Sequence, residues 1–155
     1  MTTMTELREE LDLAHIDYDL IEHRRTETAG DEARAIGATL DEVAKTIVLV
    51  SGERFVRAVL PASERLDLHK VQEVLEDKHA RLATEGELVS AYPMYELGAV
   101  PPFGVPAGDL VLVDRRLAER DSVVAEAGSH NESVRLRTRD LLRLAAAKIE
   151  DLVAV

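Results

Sequence analysis

Three short stretches of the chain carry residue types that can do chemistry. Lys45 precedes the most apolar run, Thr46–Val50, and so places a positive charge at the mouth of an expected strand. Gly98–Gly104 reads GAVPPFG, and Gly128–Asn131 reads GSHN. A lysine can hold an anion, and a loop of glycine and proline can present bare backbone N–H groups in fixed positions. These residue types suit a reaction in which negative charge develops on a carbonyl oxygen.

Signatures of several other chemistries are missing. The sequence has no cysteine, no glycine-rich phosphate loop, no G-x-S-x-G elbow and no H-E-x-x-H pair. Disulfides, thiolate metal sites and cysteine nucleophiles are therefore excluded. The histidines show no recognisable metal-ligand spacing and stand at His15, His23, His69, His79 and His130. We expect neither a metal nor a cofactor.

The serine and the acidic residues add little to this set. Ser129 and His130 are adjacent, but neighbours on an extended chain point to opposite sides, which argues against a Ser–His nucleophile pair. Most carboxylates are expected on helix surfaces. The carboxylates near the three stretches are Asp41, Glu42, Asp114 and Glu126.

Capping residues and apolar periodicity predict the helices that would position these stretches. The predicted helices begin at Thr3, Thr28, Asp67, Thr84 and Thr138. The second should end at Gly37, where a glycine can take the positive φ of a helix stop, and a further helical turn is expected over residues 40–44.

β-branched and alternating runs predict the strands. Ser51-Gly52 is a turn between Thr46–Val50 and Arg54–Leu60, which predicts a hairpin. The segment Tyr92–Pro106 holds four of the five prolines and should be a constrained loop. Other strands are expected at residues 16–21, Leu110–Val113, Ser122–Ala127 and Val134–Leu136. Together with the helices they predict one α+β domain, residues 1–155, around a mixed or barrel-like sheet.

Size and composition set the class of protein. A chain of 155 residues with 46% hydrophobic residues can bury a core without disulfides or metals. The sequence contains no run of about 18 apolar residues, the length that could span a membrane, and the charged N-terminus lacks a signal peptide's apolar core. We therefore expect a cytoplasmic protein with no membrane partner. The net charge of −11 disfavours a nucleic-acid partner unless the chain carries a local basic patch.

Such a patch exists near the C-terminus. Residues 133–143 contain only one acid, Asp140, and four arginines: Arg135, Arg137, Arg139 and Arg143. Strand alternation places Arg135 and Arg137 on the outward face. Contact with a nucleic-acid backbone and a solvated face paired with surrounding acids remain alternative interpretations of this patch.

Five stretches in order resemble the YbaK/prolyl-tRNA-synthetase-associated editing domain family. They read EVAKTIVLV (42–50), ARLATEGEL (80–88), GAVPPFG (98–104), LVLVDRRLA (110–118) and AGSHNESVRLRTRDLLRL (127–144). The resemblance begins near His23 and is strongest over residues 23–150. It implies a compact α+β fold and hydrolysis of the ester bond of mischarged aminoacyl-tRNA.

The resemblance also implies a set of site residues. Lys45 matches the family's lysine, Gly98 matches the first glycine of its GxxxP loop, and His130 falls in its late glycine-led loop, so these three are the candidate catalytic residues. The candidate substrate-binding residues are Pro101, Pro102, Phe103, Gly104, Gly128, Ser129 and Asn131. Arg135, Arg137 and Arg139 are candidate contacts to the tRNA backbone.

In this reading Gly98 donates its N–H to the oxyanion, and Lys45 holds the terminal phosphate or the scissile carbonyl. The expected partner is the aminoacyl-tRNA acceptor end, with an aminoacyl-tRNA synthetase as a further candidate. Three functions stay open at this point: a trans-editing deacylase, a non-catalytic module that binds tRNA or a synthetase, and a hydrolase of a small ester.

Overall fold

A computed structural model describes residues 3–155 of the chain. Its helices are α1 (Thr3–Leu13), α2 (Ala29–Ile36), α3 (Leu68–Leu75), α4 (Glu85–Ala91), α5 (Arg115–Ala118) and α6 (Thr138–Leu144). Its strands are β1 (Tyr18–Glu22), β2 (Val43–Ser51), β3 (Arg54–Pro61), β4 (Arg81–Leu82), β5 (Leu110–Asp114), β6 (Ser122–Glu126), β7 (Glu132–Arg137) and β8 (Lys148–Glu150). None of the helices within this range is long and apolar enough to cross a membrane.

The strands form one mixed sheet in the order β1-β7-β6-β2-β3-β5-β8, with β4 added to β2. The β2–β3, β6–β7 and β1–β7 pairs are antiparallel, whereas β2–β6, β3–β5 and β5–β8 are parallel. Helices and strands alternate irregularly along the chain, so the predicted α+β class with a mixed sheet is confirmed.

The predicted hairpin forms around the turn after Ser51, where Gly52 has φ +61°. Its first strand is longer than predicted because it already begins at Val43. The helical turn expected over residues 40–44 is wrong: residues 40–42 form a turn, and the strand follows at once. Lys45 therefore lies inside β2 rather than at its mouth.

Two of the predicted helix caps are present: Thr28 accepts from the Asp31 amide, and Thr84 forms a capping box with Glu87. Asp67, the predicted start of α3, also caps its helix by accepting from two amides. The cap predicted at Thr3 lies outside the side chains that the structure describes. The cap predicted at Thr138 is wrong, because the N-cap of α6 is the preceding residue and the buried Thr138 hydroxyl has no partner among the described residues.

The sheet is covered on both faces. α1 and α6 pack on one face, where Leu11 and Leu141 join Val59 and Val113 in the largest apolar cluster. On the other face the helices contribute smaller clusters: α3 packs Val71 against Leu49 and Leu112, and α2 packs Ala33 against Val43 and Val124. Strand alternation then assigns Lys45 and Glu126 to this second face, two residues after Val43 and Val124.

Candidate active site

The proline-rich loop brings Gly98 against His130. Residues 92–109 contain neither helix nor strand, as predicted for this segment. Gly98 has φ +84°, a conformation that a residue with a Cβ adopts only with strain. A Cβ at this position would lie 3.5 Å from Cε1 and 3.8 Å from Nε2 of His130. The loop and the histidine predicted from separate stretches of sequence are therefore in contact.

The His130 ring is buried and holds the peptide that precedes Gly98. Its Nε2 lies 2.6 Å from the carbonyl oxygen of Leu97. A carbonyl oxygen only accepts, so Nε2 carries the proton and donates. In a trans peptide the C=O and the following N–H point in opposite directions. His130 therefore turns the Gly98 N–H away from itself, and that N–H donates to no acceptor among residues 3–155.

Glu96 and Thr26 hold the late loop in place. The His130 amide donates to Oε2 of Glu96 at 3.1 Å, and the Glu96 amide donates to the Gly128 carbonyl at 2.9 Å. The His130 carbonyl accepts from the amide of Thr26 at 2.8 Å. The same Glu96 oxygen accepts from Arg25 at 3.0 Å. Glu96 thus connects the proline-rich loop to the late loop, residues 128–131. The sequence did not reveal this role, because Glu96 lies outside the GAVPPFG and GSHN motifs.

Buried carboxyl groups surround the other side of the histidine. The Nδ1 atom of His130 has no hydrogen-bond partner in the described part of the chain, and Oε2 of Glu126 lies 3.9 Å away. Burial raises the pKa of Glu126 to about 8, and the negative charges of Glu32, Glu96 and Glu27 add to this effect. Glu126 is therefore largely protonated at neutral pH and faces the imidazole as a neutral acid.

Glu32 lies fully buried on α2 beside Ser133 and His23. The Ser133 hydroxyl is hydrogen bonded to Glu32 and lies 2.8 Å from Nε2 of His23. Burial raises the pKa of Glu32. Most carboxylates were expected on helix surfaces, and Glu32 is an exception. Its spacing from Ala29 and Ile36, on the apolar side of α2, was the available signal.

Lys45 lies on β2, the strand that pairs with the one carrying Glu126. β2 and β6 run parallel with Ala44 opposite Ala125, so Lys45 lies next to the end of β6 that carries Glu126. Its ammonium group donates to the Glu64 carbonyl. Burial, and then the positive charge of Arg65, lower the pKa of Lys45. The Glu64 carboxylate partly opposes this lowering of the pKa through its negative charge, although no carboxylate among the described residues lies within ion-pair distance of Lys45.

The middle of the proline-rich loop is buried. Pro101, Pro102 and Phe103 are buried and Gly104 is partly so. The carbonyl oxygens of Pro101, Phe103 and Gly104 accept from Arg57, which lies in the middle of β3. Sequence reasoning missed Arg57, although a lone arginine between Val56 and Ala58 in an apolar strand was a readable signal.

The late loop borders an open cleft. The Ser129 hydroxyl lies 2.9 Å from the Asn131 side chain and 2.8 Å from Glu132, so it is not aimed at His130. Gly128 and Ser129 line a cleft of about 560 Å³, and Gly98 lines a pocket of about 70 Å³ next to Tyr92 and Tyr95. Lys45 lines neither cavity.

The predicted basic patch divides into two parts. Arg135 pairs with Glu42 at 3.3 Å. Arg137 and Arg139 are exposed, form no ion pair within residues 3–155, and line a cavity of about 520 Å³ with Arg120. The Nε atom of Arg120 is buried without a partner in the same range.

The chain is similar to a known protein family over most of its length. The profile of the aminoacyl-tRNA editing domain matches residues 23–144. The multifunctional Ser/Thr-tRNA deacylase ProXp-y of Escherichia coli K12 is 29% identical over 138 residues, which cover 86% of this chain and 82% of the relative. The uncharacterized protein YwhH of Bacillus subtilis 168 is 25% identical over 79% of this chain and 77% of its own length.

Solved structures share the fold. A crystal structure of a candidate trans-editing enzyme for prolyl tRNA synthetase superposes with a TM-score of 0.87 at 24% identity, covering 100% of this chain and 99% of the other. Hypothetical protein APE2540 superposes with a TM-score of 0.88 at 24% identity, covering 96% and 99%. The whole α+β arrangement, and not only the loops, is therefore common to these proteins.

Proposed function

The chain belongs to the aminoacyl-tRNA editing domain family, and we propose that it hydrolyses the ester bond of mischarged aminoacyl-tRNA at a site formed by Gly98, His130 and Lys45. The observation that carries this assignment is the contact between His130 and the Leu97 carbonyl. It orients the N–H of Gly98 as a hydrogen-bond donor that has no acceptor in the described part of the chain.

An aminoacyl ester needs little from the protein beyond this donor, because the ester is already activated. Water adds to the carbonyl carbon, and the carbonyl oxygen becomes an oxyanion. The Gly98 N–H stabilises that oxyanion; a fixed donor of this kind contributes roughly 3–4 kcal/mol. The C–O bond to the ribose then breaks, and the ribose oxygen takes up a proton. A neighbouring ribose hydroxyl of the terminal adenosine can help to activate the water.

His130 acts in this scheme as a positioning residue. Its Nε2 is used by the Leu97 carbonyl, and its Nδ1 faces Glu126 within the protein. Nε2 already carries a proton, and Nδ1 is buried without a hydrogen-bond partner among the described residues, so we assign His130 no proton transfer with the attacking water. The catalytic contribution of His130 is therefore to fix the Leu97–Gly98 peptide.

Lys45 supplies the positive charge of the site. Its only hydrogen bond in the described structure is to the neutral Glu64 carbonyl, which an anionic group of the substrate can replace. We assign Lys45 to the terminal phosphate or to the polarised carbonyl. Gly128 and Ser129 border the open cleft and Asn131 accepts from the Ser129 hydroxyl, and we assign all three to the substrate. We assign Pro101, Pro102, Phe103 and Gly104 to support of the loop, because the carbonyls of Pro101, Phe103 and Gly104 bind Arg57 and Pro102 is buried between them.

The arginines of the basic patch that form no ion pair among the described residues are candidate contacts to tRNA. We propose that Arg137 and Arg139, with Arg120 beside them, contact the phosphate backbone. Arg135 contributes less because Glu42 already neutralises it. The net charge of −11 makes binding weak, so we propose that an aminoacyl-tRNA synthetase assists delivery in the cytoplasm.

Deacylation of a panel of charged tRNAs by the purified protein tests the function. Seryl and threonyl esters come first in the panel, since the E. coli relative is named for Ser/Thr-tRNA. We expect turnover of at least one mischarged tRNA and far slower cleavage of a small aminoacyl ester. Equal rates on both would favour the small-ester hydrolase, and binding without cleavage of any charged tRNA would favour a non-catalytic module.

A further inference from the structure

We propose that Arg57 is a positioning residue for this reaction: its guanidinium fixes the proline-rich loop from below and thereby holds the Gly98 amide in its working orientation. The inference rests on the proposed role of Gly98. It adds a residue from the centre of the sheet that touches neither the ester nor the tRNA.

All five N–H donors of Arg57 are used, and four of them hold loop carbonyls. Nη1 donates to the Pro101 and Phe103 carbonyls at 2.9 Å and 2.8 Å. Nη2 donates to the Gly104 and Val105 carbonyls at 3.3 Å and 3.0 Å. A guanidinium has five donors in a rigid plane, so four carbonyl positions are set by one side chain.

Arg57 also holds the start of the loop. Its guanidinium lies 5.2 Å from the centre of the Tyr92 ring, and its Nε donates to Oδ2 of Asp109 at 3.0 Å. The Tyr92 hydroxyl donates to the same Asp109 oxygen at 2.7 Å. Tyr92 is the first residue after α4, and Asp109 precedes β5. Arg57 therefore connects the residue where the loop begins with the residues where it ends, and Gly98 lies between them.

Glu96 and His130 fix the loop at residues 96–98, whereas residues 101–105 are held by Arg57 and by the Tyr95 hydroxyl, which donates to the Val105 carbonyl. Between residues 92 and 109 no backbone ladder of a helix or strand operates. Arg57 itself is 1% exposed, and a buried charge is stabilising only when its partners satisfy it fully. Burying an arginine carries a desolvation cost, and we expect that cost to be met where the orientation of the surrounding backbone matters. An apolar side chain could fill the same volume but could not turn four carbonyls toward one point.

The test uses the full chain and two independent readouts. Arg57→Lys keeps the charge but loses the planar fork, so one or two of the carbonyl bonds survive. Arg54→Lys is the matched control, an exposed arginine on the same strand. The first readout is kcat and KM for a charged tRNA, measured below the melting temperature of each variant. The second is amide hydrogen exchange of residues 98–105 compared with that of β2 and β3.

We expect Arg57→Lys to lower kcat at least about tenfold with KM changed by less than about threefold, because a slightly misplaced donor affects the transition state more than substrate binding. Exchange should rise in residues 98–105 and stay unchanged in β2 and β3, and Arg54→Lys should match the wild type. A folded Arg57→Lys protein with wild-type kcat and wild-type loop exchange overturns the proposal.

Milder variants carry the test if Arg57→Lys does not fold. Tyr92→Phe removes one hydroxyl from Asp109 and keeps the ring over the guanidinium, and Asp109→Asn removes the charge partner. Each should raise loop exchange and lower kcat by a smaller factor; unchanged values in both overturn the proposal. Loop exchange is independent of the reaction. If the wild type cleaves no charged tRNA while the Arg57 variant still shows faster loop exchange, the proposed function is contradicted and the structural role of Arg57 is supported.

Discussion

His130 holds the carbonyl oxygen of Leu97 through Nε2, at 2.6 Å. That carbonyl belongs to the same peptide unit as the Gly98 N–H, so one hydrogen bond from a buried ring orients the backbone donor of the site. In the proposed mechanism, this relationship gives the histidine a role in a reaction that needs no strong nucleophile. It also separates two roles for that histidine, hydrogen-bond donor and general base, which the following variants distinguish.

The activity left after replacement of His130 should depend on whether the new side chain can donate a hydrogen bond to the Leu97 carbonyl. His130→Gln keeps an N–H at similar reach, and we expect it to retain more activity than His130→Leu by at least about tenfold, the value of one lost hydrogen bond of about 1.4 kcal/mol. Rates of both variants across pH 5–9 are the measurement. Equal loss in the two variants, with loss of a rate-controlling ionisation, would show that His130 is a general base.

Gly98 should be sensitive to any side chain. Gly98→Val forces a Cβ into the positive φ region and toward the His130 ring, and we expect loss of turnover in a protein that still folds. Gly52→Val is the matched control, since it has the same backbone conflict at φ +61° in the β2–β3 turn with open space around its Cβ. Both should lower the melting temperature. Normal turnover of Gly98→Val would place the oxyanion donor elsewhere.

Lys45 should be required for activity and dispensable for folding. Lys45→Ala removes a half-buried ammonium whose hydrogen bond is to a single carbonyl, so we expect the melting temperature to change little. Deacylation should fall at least about tenfold, because one positive charge next to the developing anion is lost. Lys78→Ala, at an exposed lysine after α3, is the control. Wild-type deacylation by a folded Lys45→Ala protein would exclude Lys45 from the site.

The local sequence was sufficient for elements that local interactions define. The caps at Thr28, Asp67 and Thr84 and the hairpin around Ser51-Gly52 depend on residues within a few positions of one another. The loop after α4 could be predicted too, since its prolines exclude regular hydrogen bonding over most of its length.

Features that depend on tertiary contacts could not be predicted in the same way. The short helix α5 is capped by Asp114, whose other oxygen accepts from the distant Leu152 amide. β8 exists because it pairs with β5. The burial of Glu32 and Arg57 likewise depends on partners far along the chain, Ser133 and the proline-rich loop. The candidate catalytic residues came from family resemblance, whereas the residues that position them became visible only in the fold.

Glu126 should make the stability of the protein depend on pH. Burial raises the pKa of Glu126 from 4.5 to about 8. Below pH 4.5 the Glu126 side chain is protonated in both the folded and the unfolded state. Between the two values only the unfolded state releases the proton, so the free energy of unfolding falls as pH rises, by up to about 1.4 kcal/mol per unit. Above pH 8 this dependence ends.

Glu126→Gln removes that ionisation. Its unfolding free energy should decline less steeply than that of the wild type between pH 5 and 8, as measured by urea denaturation at each pH. Glu53→Gln, at an exposed turn residue, should behave as the wild type. Parallel curves for Glu126→Gln and the wild type would mean that Glu126 is ionised in the folded protein.

The exposed arginines Arg137 and Arg139 should control how tRNA binding responds to salt. Phosphate contacts carry no sequence information, so Arg137→Ala/Arg139→Ala should weaken binding of all tRNAs alike. Each neutralised phosphate contributes roughly 0.7–0.9 to the slope of log affinity against log salt. We therefore expect the double variant to reduce that slope by about 1.5.

A salt titration of tRNA binding gives both slopes, and the control must change the net charge equally. Arg54→Ala/Lys78→Ala removes two exposed positive charges, from the start of β3 and from the segment after α3. It should lower affinity slightly through the general field while keeping the wild-type slope. Arg135→Ala should also keep most of the slope, because Glu42 already neutralises that guanidinium. If Arg137→Ala/Arg139→Ala has the wild-type slope, these arginines are a solvated face, and the acceptor end is held by the active site alone.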